Sequence, residues 1–198
     1  MGKLIFATGN EGKMREIRVI MEDLGVEILS QKEAGLAPQV DENGTTFEEN
    51  AIIKAKAVAA LAPEAIVLAD DSGLEIDYLN KEPGIYSARY AGEDTSYVVK
   101  NQMLLDRLAG VPQEKRTARF VCVIAAVFPD GQTVTVRETM EGFIGEVPVG
   151  ENGFGYDPIF QVPQYGCSSA QLTMEQKNEL SHRGKALRKM KEEIKARL

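Results

Sequence analysis

Two adjacent carboxylates, Asp70 and Asp71, followed by Ser72 and Gly73, are the residues of this sequence best suited to chemistry. They come directly after residues 65–69, an apolar run that predicts a strand buried on both faces. Residues just beyond the carboxyl end of such a strand lie where open α/β sheets bind ligands. Neighbouring carboxylates repel each other unless a cation neutralises them, and Mg²⁺ takes carboxylate oxygens together with substrate phosphates. The pattern indicates a divalent-metal site, with an ordinary strand-end turn as the alternative.

A polar loop after the first predicted strand, residues 4–7, is a candidate phosphate site. It lies between a strand and a helix that Gly25 ends, a layout that directs backbone N–H groups at an anion. The helix is predicted from apolar residues spaced along one face: Met14, Ile17, Ile20, Met21 and Leu24. The spacing is not that of a P-loop. A lysine in the first helical turn opposes the helix dipole, which favours binding over a merely solvated side chain. The loop consists of Thr8, Gly9, Asn10, Glu11, Gly12 and Lys13.

A second predicted helix, residues 46–61, carries a carboxylate and a lysine. Thr46 and Glu49 have the spacing of a capping box, which by itself accounts for Glu49. Lys54 follows five residues later on the same helix. Glu49 and Lys54 can therefore have a purely structural role in the helix. Alternatively, Glu49 can bind a metal and Lys54 a phosphate beside Asp71.

Aromatic residues between glycines mark a third candidate, the loop Phe154-Gly155-Tyr156-Asp157. An aromatic ring on a flexible loop can stack on a nucleobase, because every base has a π-face. Filling the core is the alternative, and it is favoured for Tyr156.

The C-terminal region adds three cationic or donor residues. Lys177 lies on a helix that a second capping box opens at Thr173. His182, the only histidine, stands beside Arg183 and forms a compact donor cluster with it. A lone histidine is more often structural than catalytic.

The elements that must position these residues alternate as strand, helix, strand, helix, strand, which predicts an α/β fold. A further strand is expected at 75–79, beyond a turn at Gly73, and a helix at 94–108. Residues 117–147 predict a long antiparallel hairpin around the turn at 130–131, the platform of a second lobe. An amphipathic helix at 185–198 should bury Leu187, Met190, Ile194 and Leu198.

Composition excludes several classes of protein. The 198 residues are 43% hydrophobic and 27% charged, which fits one globular domain or two closely joined lobes. The net charge of −7 disfavours a non-specific nucleic-acid binder. Cys122 and Cys167 match neither a metal spacing nor a disulfide pattern, and Cys122 is expected in the core. With no apolar stretch of signal-peptide or membrane-spanning length, the expected location is the cytoplasm.

Six motifs, in one order and spacing, resemble the inosine/xanthosine triphosphate pyrophosphatase family, bacterial branch. The resemblance covers about residues 4–187. Its motifs are residues 8–13, 47–51, 69–74, 83–90, 154–158 and 181–184.

The resemblance implies a single pyrophosphatase domain, 1–198, with an α/β fold in two lobes around a central cleft. The sheet would be mixed, and the active form a homodimer. The reaction would be Mg²⁺-dependent hydrolysis of dITP, ITP and XTP to the monophosphate and pyrophosphate, which cleanses the nucleotide pool. The partner would be this small-molecule substrate, with no nucleic acid and no membrane.

The resemblance also assigns roles to residues. Thr8, Asn10, Lys13 and Lys54 would hold phosphate. Glu49 and Asp71 would hold the metal, and Asp71 would accept the proton of the attacking water. Ser72 would contact substrate. The base pocket would comprise Phe154, Gly155, Tyr156, Asp157, Lys177, His182 and Arg183.

Two rival functions remain at this point. A nucleotide sensor without turnover would not need the Glu49 and Asp71 pair. A different phosphohydrolase would release orthophosphate rather than pyrophosphate. Product analysis separates all three.

Overall fold

The structure, a computed structural model, describes residues 2–198 and divides the chain into two compact units. Unit 1 comprises the chain up to Asp71 together with residues 122–138 and 183–198. Unit 2 comprises residues 72–121 and 139–182. Each unit therefore consists of segments that are distant in sequence.

Seven strands and five α-helices form the regular structure of residues 2–198. The strands are β1 (Lys3–Phe6), β2 (Glu27–Ser30), β3 (Ile66–Ile76), β4 (Thr117–Val127), β5 (Thr133–Ile144), β6 (Phe160–Val162) and β7 (Cys167–Ser168). The helices are α1 (Glu11–Met21), α2 (Phe47–Ala59), α3 (Tyr97–Arg107), α4 (Met174–Leu180) and α5 (His182–Lys195). None of the helices is both long and apolar enough to cross a membrane.

The strands form one mixed sheet in the order β2-β1-β3-β4-β5-β6-β7. Strand β1 runs parallel to both neighbours, with Phe6 opposite Ser30 and Leu68. Strand β6 is antiparallel to both β5 and β7. The predicted α/β fold with a mixed sheet is confirmed.

Unit 1 has its own core, to which α1 and α5 contribute their apolar faces. Met14, Ile17 and Met21 of α1 are buried, at the spacing that predicted the helix. Leu187, Met190 and Ile194 of α5 are buried as predicted. The prediction for Leu198 is wrong, since its side chain is 64% exposed. The helix ends at Lys195, so Leu198 cannot continue its buried face.

Unit 2 has a second core around Phe120, Phe160 and the apolar residues of α3. Leu104 and Leu105 of α3 are buried, but the helix begins at Tyr97 rather than at residue 94. The Ser96 side chain caps it by accepting a hydrogen bond from the Val99 amide.

Strand β3 contradicts the predicted turn at Gly73, because it continues without a break from Ile66 to Ile76. Residues 77–79, expected in a separate strand, form a 3₁₀ turn instead. Leu74 and Ile76 alternate into the core of unit 2. This burial keeps the chain extended past the polar residues.

The predicted hairpin is present as β4 and β5. The Gly131 amide donates to the Phe128 carbonyl and the Phe128 amide donates to the Gln132 carbonyl, each at 2.9 Å. The hairpin is not the platform of one lobe, since its turn and residues 122–138 belong to unit 1 and its base to unit 2. Cys122 is fully buried within it, as predicted.

Candidate active site

The two carboxylates of β3 have different surroundings, because successive side chains of a strand point to opposite faces. Asp70 is 4% exposed and accepts two hydrogen bonds from Lys13 Nζ, at 2.8 and 3.2 Å. Asp71 is half-buried, and Lys54 Nζ lies 3.8 Å from its Oδ1. Each carboxylate therefore pairs with a different lysine. The charge of Lys54 also lowers the pKa of Asp70.

Both carboxylates lie beyond the carboxyl end of the parallel part of the sheet. Strand β1 ends at Phe6, opposite Leu68, and the Ala7 amide still donates to the Leu68 carbonyl at 2.7 Å. The ligand-binding edge expected for an α/β sheet is thus present although β3 continues past it.

The loop after β1 is organised by its own side chains. The Asn10 side chain caps α1 by accepting from the Lys13 amide at 3.0 Å, and Thr8 Oγ1 accepts from the Asn10 amide at 3.1 Å. Glu11 and Gly12 form the exposed first turn of α1. The N-terminal end of α1, with its unpaired N–H groups, therefore stands at the same sheet edge as Asp70.

Asp70 is the buried counter-ion of three nearby cationic side chains. Burial raises the pKa of Asp70, but Lys13, Lys54 and Arg183 outweigh that effect and hold its pKa below the ordinary value. Asp70 is therefore ionised, and its carboxylate positions Lys13.

Asp71 has the properties of a proton acceptor. Burial raises the pKa of Asp71 to about 6, with the carboxylates of Glu42 and Asp70 adding to the shift and Lys54 opposing it. Its Oδ2 is buried and has no hydrogen-bond partner within the described part of the chain. A carboxylate with one unsatisfied oxygen and a pKa near neutrality suits a base or a cation ligand.

Glu42 belongs to this site, and the sequence did not reveal it. Its Oε1 lies 3.1 Å from Lys54 Nζ, so Glu42 and Asp71 share one ammonium group. The Asn50 side chain accepts from the Gly44 amide at 2.9 Å, which helps to fix the loop that carries Glu42. Asn50 also lowers the pKa of Asp71. The only sequence signal was an acidic residue in a polar loop without periodicity.

Glu49 caps α2 in a way that differs from the predicted box. Thr46 Oγ1 accepts from the Glu49 amide at 3.1 Å, as expected. Glu49 Oε2 instead accepts from the Thr45 amide at 2.6 Å and the Thr45 hydroxyl at 3.0 Å. These bonds lower the pKa of Glu49. The adjacent Glu48 pairs with Arg137 at 3.3 Å.

The aromatic loop in unit 2 is built on Asp157, which is buried. Its Oδ2 accepts from the Phe154 amide at 2.9 Å and pairs with Lys177, and its Oδ1 accepts from Ser169 Oγ at 2.8 Å. Gly153 has a φ of +74°, and a Cβ there would collide with Asp157. This arrangement displays the Phe154 ring to solvent, and the residue is 72% exposed.

Tyr156 fills the core of unit 2, as favoured from the sequence. It is buried, and its hydroxyl donates to the Ser87 carbonyl at 2.5 Å. Burial raises the pKa of Tyr156 above its ordinary value, so the phenol remains protonated. Ser72 Oγ, also in unit 2, is buried without a hydrogen-bond partner among residues 2–198.

His182 and Arg183 form the first turn of α5, directly after the extended Ser181 that ends α4. The imidazole ring stacks on Phe120 with 5.3 Å between ring centroids. Arg183 Nε donates to Glu16 Oε2 at 2.8 Å. The guanidinium group of Arg183 is thereby fixed in unit 1, where it also acts on Asp70.

The similarity to known proteins extends over nearly the whole chain. A sequence model described as Ham1 family matches residues 4–193. The chain belongs to the Ham1 family. The family resemblance predicted from six motifs is thus confirmed.

Two bacterial relatives of this chain are named dITP/XTP pyrophosphatase. The relative from Exiguobacterium sibiricum is 50% identical over 188 residues, which cover 95% of this chain and 94% of the relative. The relative from Bacillus subtilis is 47% identical over 196 residues, which cover 99% and 98%.

Solved Ham1 structures share the fold described above. The Staphylococcus aureus Ham1 protein matches with a TM-score of 0.91 and 42% identity, covering 99% of this chain and 100% of its own. A HAM1 protein from Coxiella burnetii matches with a TM-score of 0.92 and 38% identity over the same shares.

Proposed function

We propose that this Ham1-family protein hydrolyses the non-standard purine nucleoside triphosphates dITP, ITP and XTP to the monophosphate and pyrophosphate. The observation that carries the proposal is Asp71, a half-buried carboxylate with an unsatisfied oxygen and a pKa of about 6. It lies beside Lys54 at the sheet edge that also holds the α1 N-terminus. The names of the full-length relatives support the same reaction.

The loop before α1 and the first turn of that helix bind the triphosphate in this proposal. The first turn of α1 presents backbone N–H groups, and Thr8 and Asn10 stiffen the loop before it. Lys13 and Lys54 supply positive charge, which phosphoryl transfer needs more than a reactive side chain. Asp70 keeps Lys13 in place while the phosphates bind.

Mg²⁺ is the proposed cofactor, and the oxygen donors of unit 1 suit it. No group of three or more metal-binding side chains occurs among residues 2–198, but Mg²⁺ is commonly held by one or two carboxylates with substrate phosphates. The unsatisfied Oδ2 of Asp71 and the neighbouring carboxylate of Glu42 are the proposed ligands. Glu49, whose Oε2 accepts from the Thr45 amide, stays a prediction as a metal ligand. The bound ion would supply Lewis-acid stabilisation of the phosphate charge.

Asp71 is the proposed proton acceptor. Release of pyrophosphate requires water to attack the α-phosphorus. The bond between this phosphorus and the oxygen that bridges it to the β-phosphate then breaks. The attacking water gives its proton to the Asp71 carboxylate, which is a better base than an ordinary aspartate because burial raises its pKa.

The aromatic loop, residues 154–157, recognises the base in this proposal. Phe154 stacks on the purine ring, and Lys177 holds Asp157, whose carboxylate fixes the Phe154 amide. His182 and Arg183 donate hydrogen bonds to the 6-keto group of inosine or xanthine. Adenine carries an amino donor at that edge and would leave these donors unpaired.

The proposal includes three further points from the family resemblance. The protein acts as a homodimer, works in the cytoplasm and removes deaminated purine nucleotides before they enter DNA or RNA. Its net charge of −7 supports a free nucleotide rather than a nucleic acid as the substrate.

Product analysis tests the reaction. The purified protein is incubated with Mg²⁺ and each of ITP, XTP, dITP and the four standard triphosphates, and the phosphate products are separated. Pyrophosphate and the monophosphate from the first three support the proposal. Orthophosphate would indicate a different phosphohydrolase, and binding without either product would indicate a sensor.

A further inference from the structure

Asn101 of α3 holds the backbone of the aromatic loop. The side chain is 3% exposed, and its Nδ2 donates to the Gly155 carbonyl at 3.1 Å. Gly155 directly follows Phe154, so this bond fixes the peptide next to the displayed ring. No motif in the sequence pointed to Asn101, because it lies on a helix between the apolar positions of the core.

Neighbouring residues of α3 reinforce the same attachment. The ring of Tyr97 lies against Gly155, 3.7 Å from the point that a Cβ on this glycine would occupy, and packs edge-on to Tyr156 with ring centroids 5.2 Å apart. The buried Lys100 lies over the Tyr97 ring at 4.7 Å and donates to the Ala88 carbonyl at 2.6 Å. One turn of α3 thus contacts the loop at Gly155 and Tyr156, whereas Asp157 holds it through the Phe154 amide.

A contribution to stability does not by itself explain an amide at position 101. Its Oδ1 is buried and has no hydrogen-bond partner in residues 2–198. A buried unsatisfied oxygen offsets much of what the Nδ2 bond contributes, so an apolar residue of similar size would serve packing as well. An unsatisfied group of this kind in a native structure calls for an explanation other than packing.

We propose that Asn101 is a positioning residue for purine binding, which acts by holding the Gly155 carbonyl so that Phe154 is placed to stack on the base. This inference rests on the proposed function, in which Phe154 contacts the purine. The side chain of Asn101 bonds the Gly155 carbonyl, and in that function Asn101 is not among the residues assigned to the phosphates or to proton transfer. Since stacking tolerates every base, its loss weakens binding of all purine triphosphates by a similar factor.

The test uses the full-length protein with Asn101→Leu, which removes donor and acceptor, and Asn101→Asp, which keeps the shape but removes the donor. The control is Gln102→Leu, which replaces an exposed amide on the same helix whose Nε2 donates to Asp106 Oδ1 at 2.8 Å. Hydrogen exchange of residues 153–157 should rise at least about fivefold in both Asn101 variants and stay unchanged in the control. Exchange in α1 serves as the internal reference.

Kinetics supply the second measurement. The KM for ITP and for XTP should rise by about tenfold in the Asn101 variants, the effect of losing one oriented hydrogen bond. We expect kcat to change less than about twofold, because stacking contributes equally to ground-state and transition-state binding. Inhibition by inorganic tripolyphosphate, which has no base, should be unchanged.

Several results would overturn the inference. Exchange that matches the Gln102→Leu control would show that Asn101 does not hold the loop. Faster exchange with an unchanged KM would show that the held loop does not place the base. Weaker inhibition by tripolyphosphate would place the effect at the phosphates. Failure of the wild-type protein to hydrolyse ITP would instead refute the proposed function, and the exchange measurement would still test the attachment.

Discussion

At the scale of single residues, the proposed function gives the neighbouring Asp70 and Asp71 different roles. Asp71→Asn should lower kcat by about 10²–10⁴-fold, because the variant cannot accept a proton. It should leave stability nearly unchanged, since burial already disfavours the charged carboxylate. Steady-state turnover and thermal unfolding measure the two effects.

Asp70→Asn is the matched control, and its main effect should be on stability. It leaves Lys13 without its buried counter-ion, which costs roughly 3 kcal/mol of unfolding free energy. A stable Asp71→Asn variant that keeps normal turnover would show that Asp71 is not the base.

Three single substitutions distinguish between the proposed metal ligands. Glu42→Gln should raise the Mg²⁺ concentration for half-maximal activity by at least about tenfold, because Glu42 shares Lys54 with Asp71. Glu49→Gln tests the sequence prediction, and Glu48→Gln is the control, since Glu48 pairs with Arg137. A strong effect of Glu49→Gln alone would exclude Glu42 as the ligand.

The proposed base selectivity can also be tested at single residues. Arg183→Ala should lower kcat/KM for ITP far more than for ATP and so reduce their ratio by at least about tenfold. Phe154→Ala should lower both by about the same factor, because stacking does not distinguish bases. Measuring both substrates on both variants tests this division, and an unchanged ratio in Arg183→Ala would show that selectivity is made elsewhere.

At the scale of elements, a buried arginine joins the end of α3 to the two central strands of unit 2. Arg116 Nε donates to the Ile144 carbonyl at 2.8 Å, and its Nη1 donates to the Leu108 carbonyl at 2.7 Å. Arg116→Met keeps the stem but leaves these carbonyls unpaired, which should cost about 3 kcal/mol in urea unfolding. Lys115→Met, on the exposed neighbour, should be nearly neutral; an equal loss at both positions would contradict this role.

A second attachment joins β4 to the turn after β3 and should depend on pH. The Arg119 guanidinium, at 2.9 Å from Asp77 Oδ2, together with Lys81 and Thr117, holds the pKa of Asp77 well below its ordinary value. A depressed folded-state pKa means that the stabilisation is complete above the unfolded pKa of about 3.9 and is lost as the pH falls further.

Asp77→Asn measures this contribution. The wild-type protein should exceed the variant by about 1 kcal/mol in unfolding free energy at pH 6, and the difference should shrink steadily below about pH 4. A difference that stays constant between pH 6 and pH 3 would contradict it.

The elements also show what sequence patterns can and cannot predict. Apolar periodicity found α1 and α5, and the turn residues 130–131 found the hairpin, because these signals are local. The turn at Gly73 was wrong, because the alternation of Leu74 and Ile76 into a second core depends on residues distant in sequence. Glu42 and Asn101 were missed for the same reason, since only the folded chain brings them to Asp71 and Gly155.

At the scale of the whole molecule, the family was predictable because six motifs occur in one order over most of the chain. The homodimer remains a prediction from that resemblance. Sedimentation at micromolar concentration should give a mass of about twice the 21.7 kDa of the chain. A monomer at that concentration would contradict it.

The division into two units has a consequence for how such a protein can change. The chain passes between units after Asp71, Val121, Glu138 and His182, and these four positions lie within β3, β4, β5 and the first turn of α5. Exchange of one unit between relatives would need four junctions, each inside a hydrogen-bonded element where a mismatch disturbs register. Recombination at flexible linkers, which exchanges whole domains in many multidomain enzymes, does not apply to these four junctions because they lie inside regular elements. New substrate preferences are therefore expected to arise by substitution at positions such as Phe154 and Arg183, not by acquisition of a ready-made half.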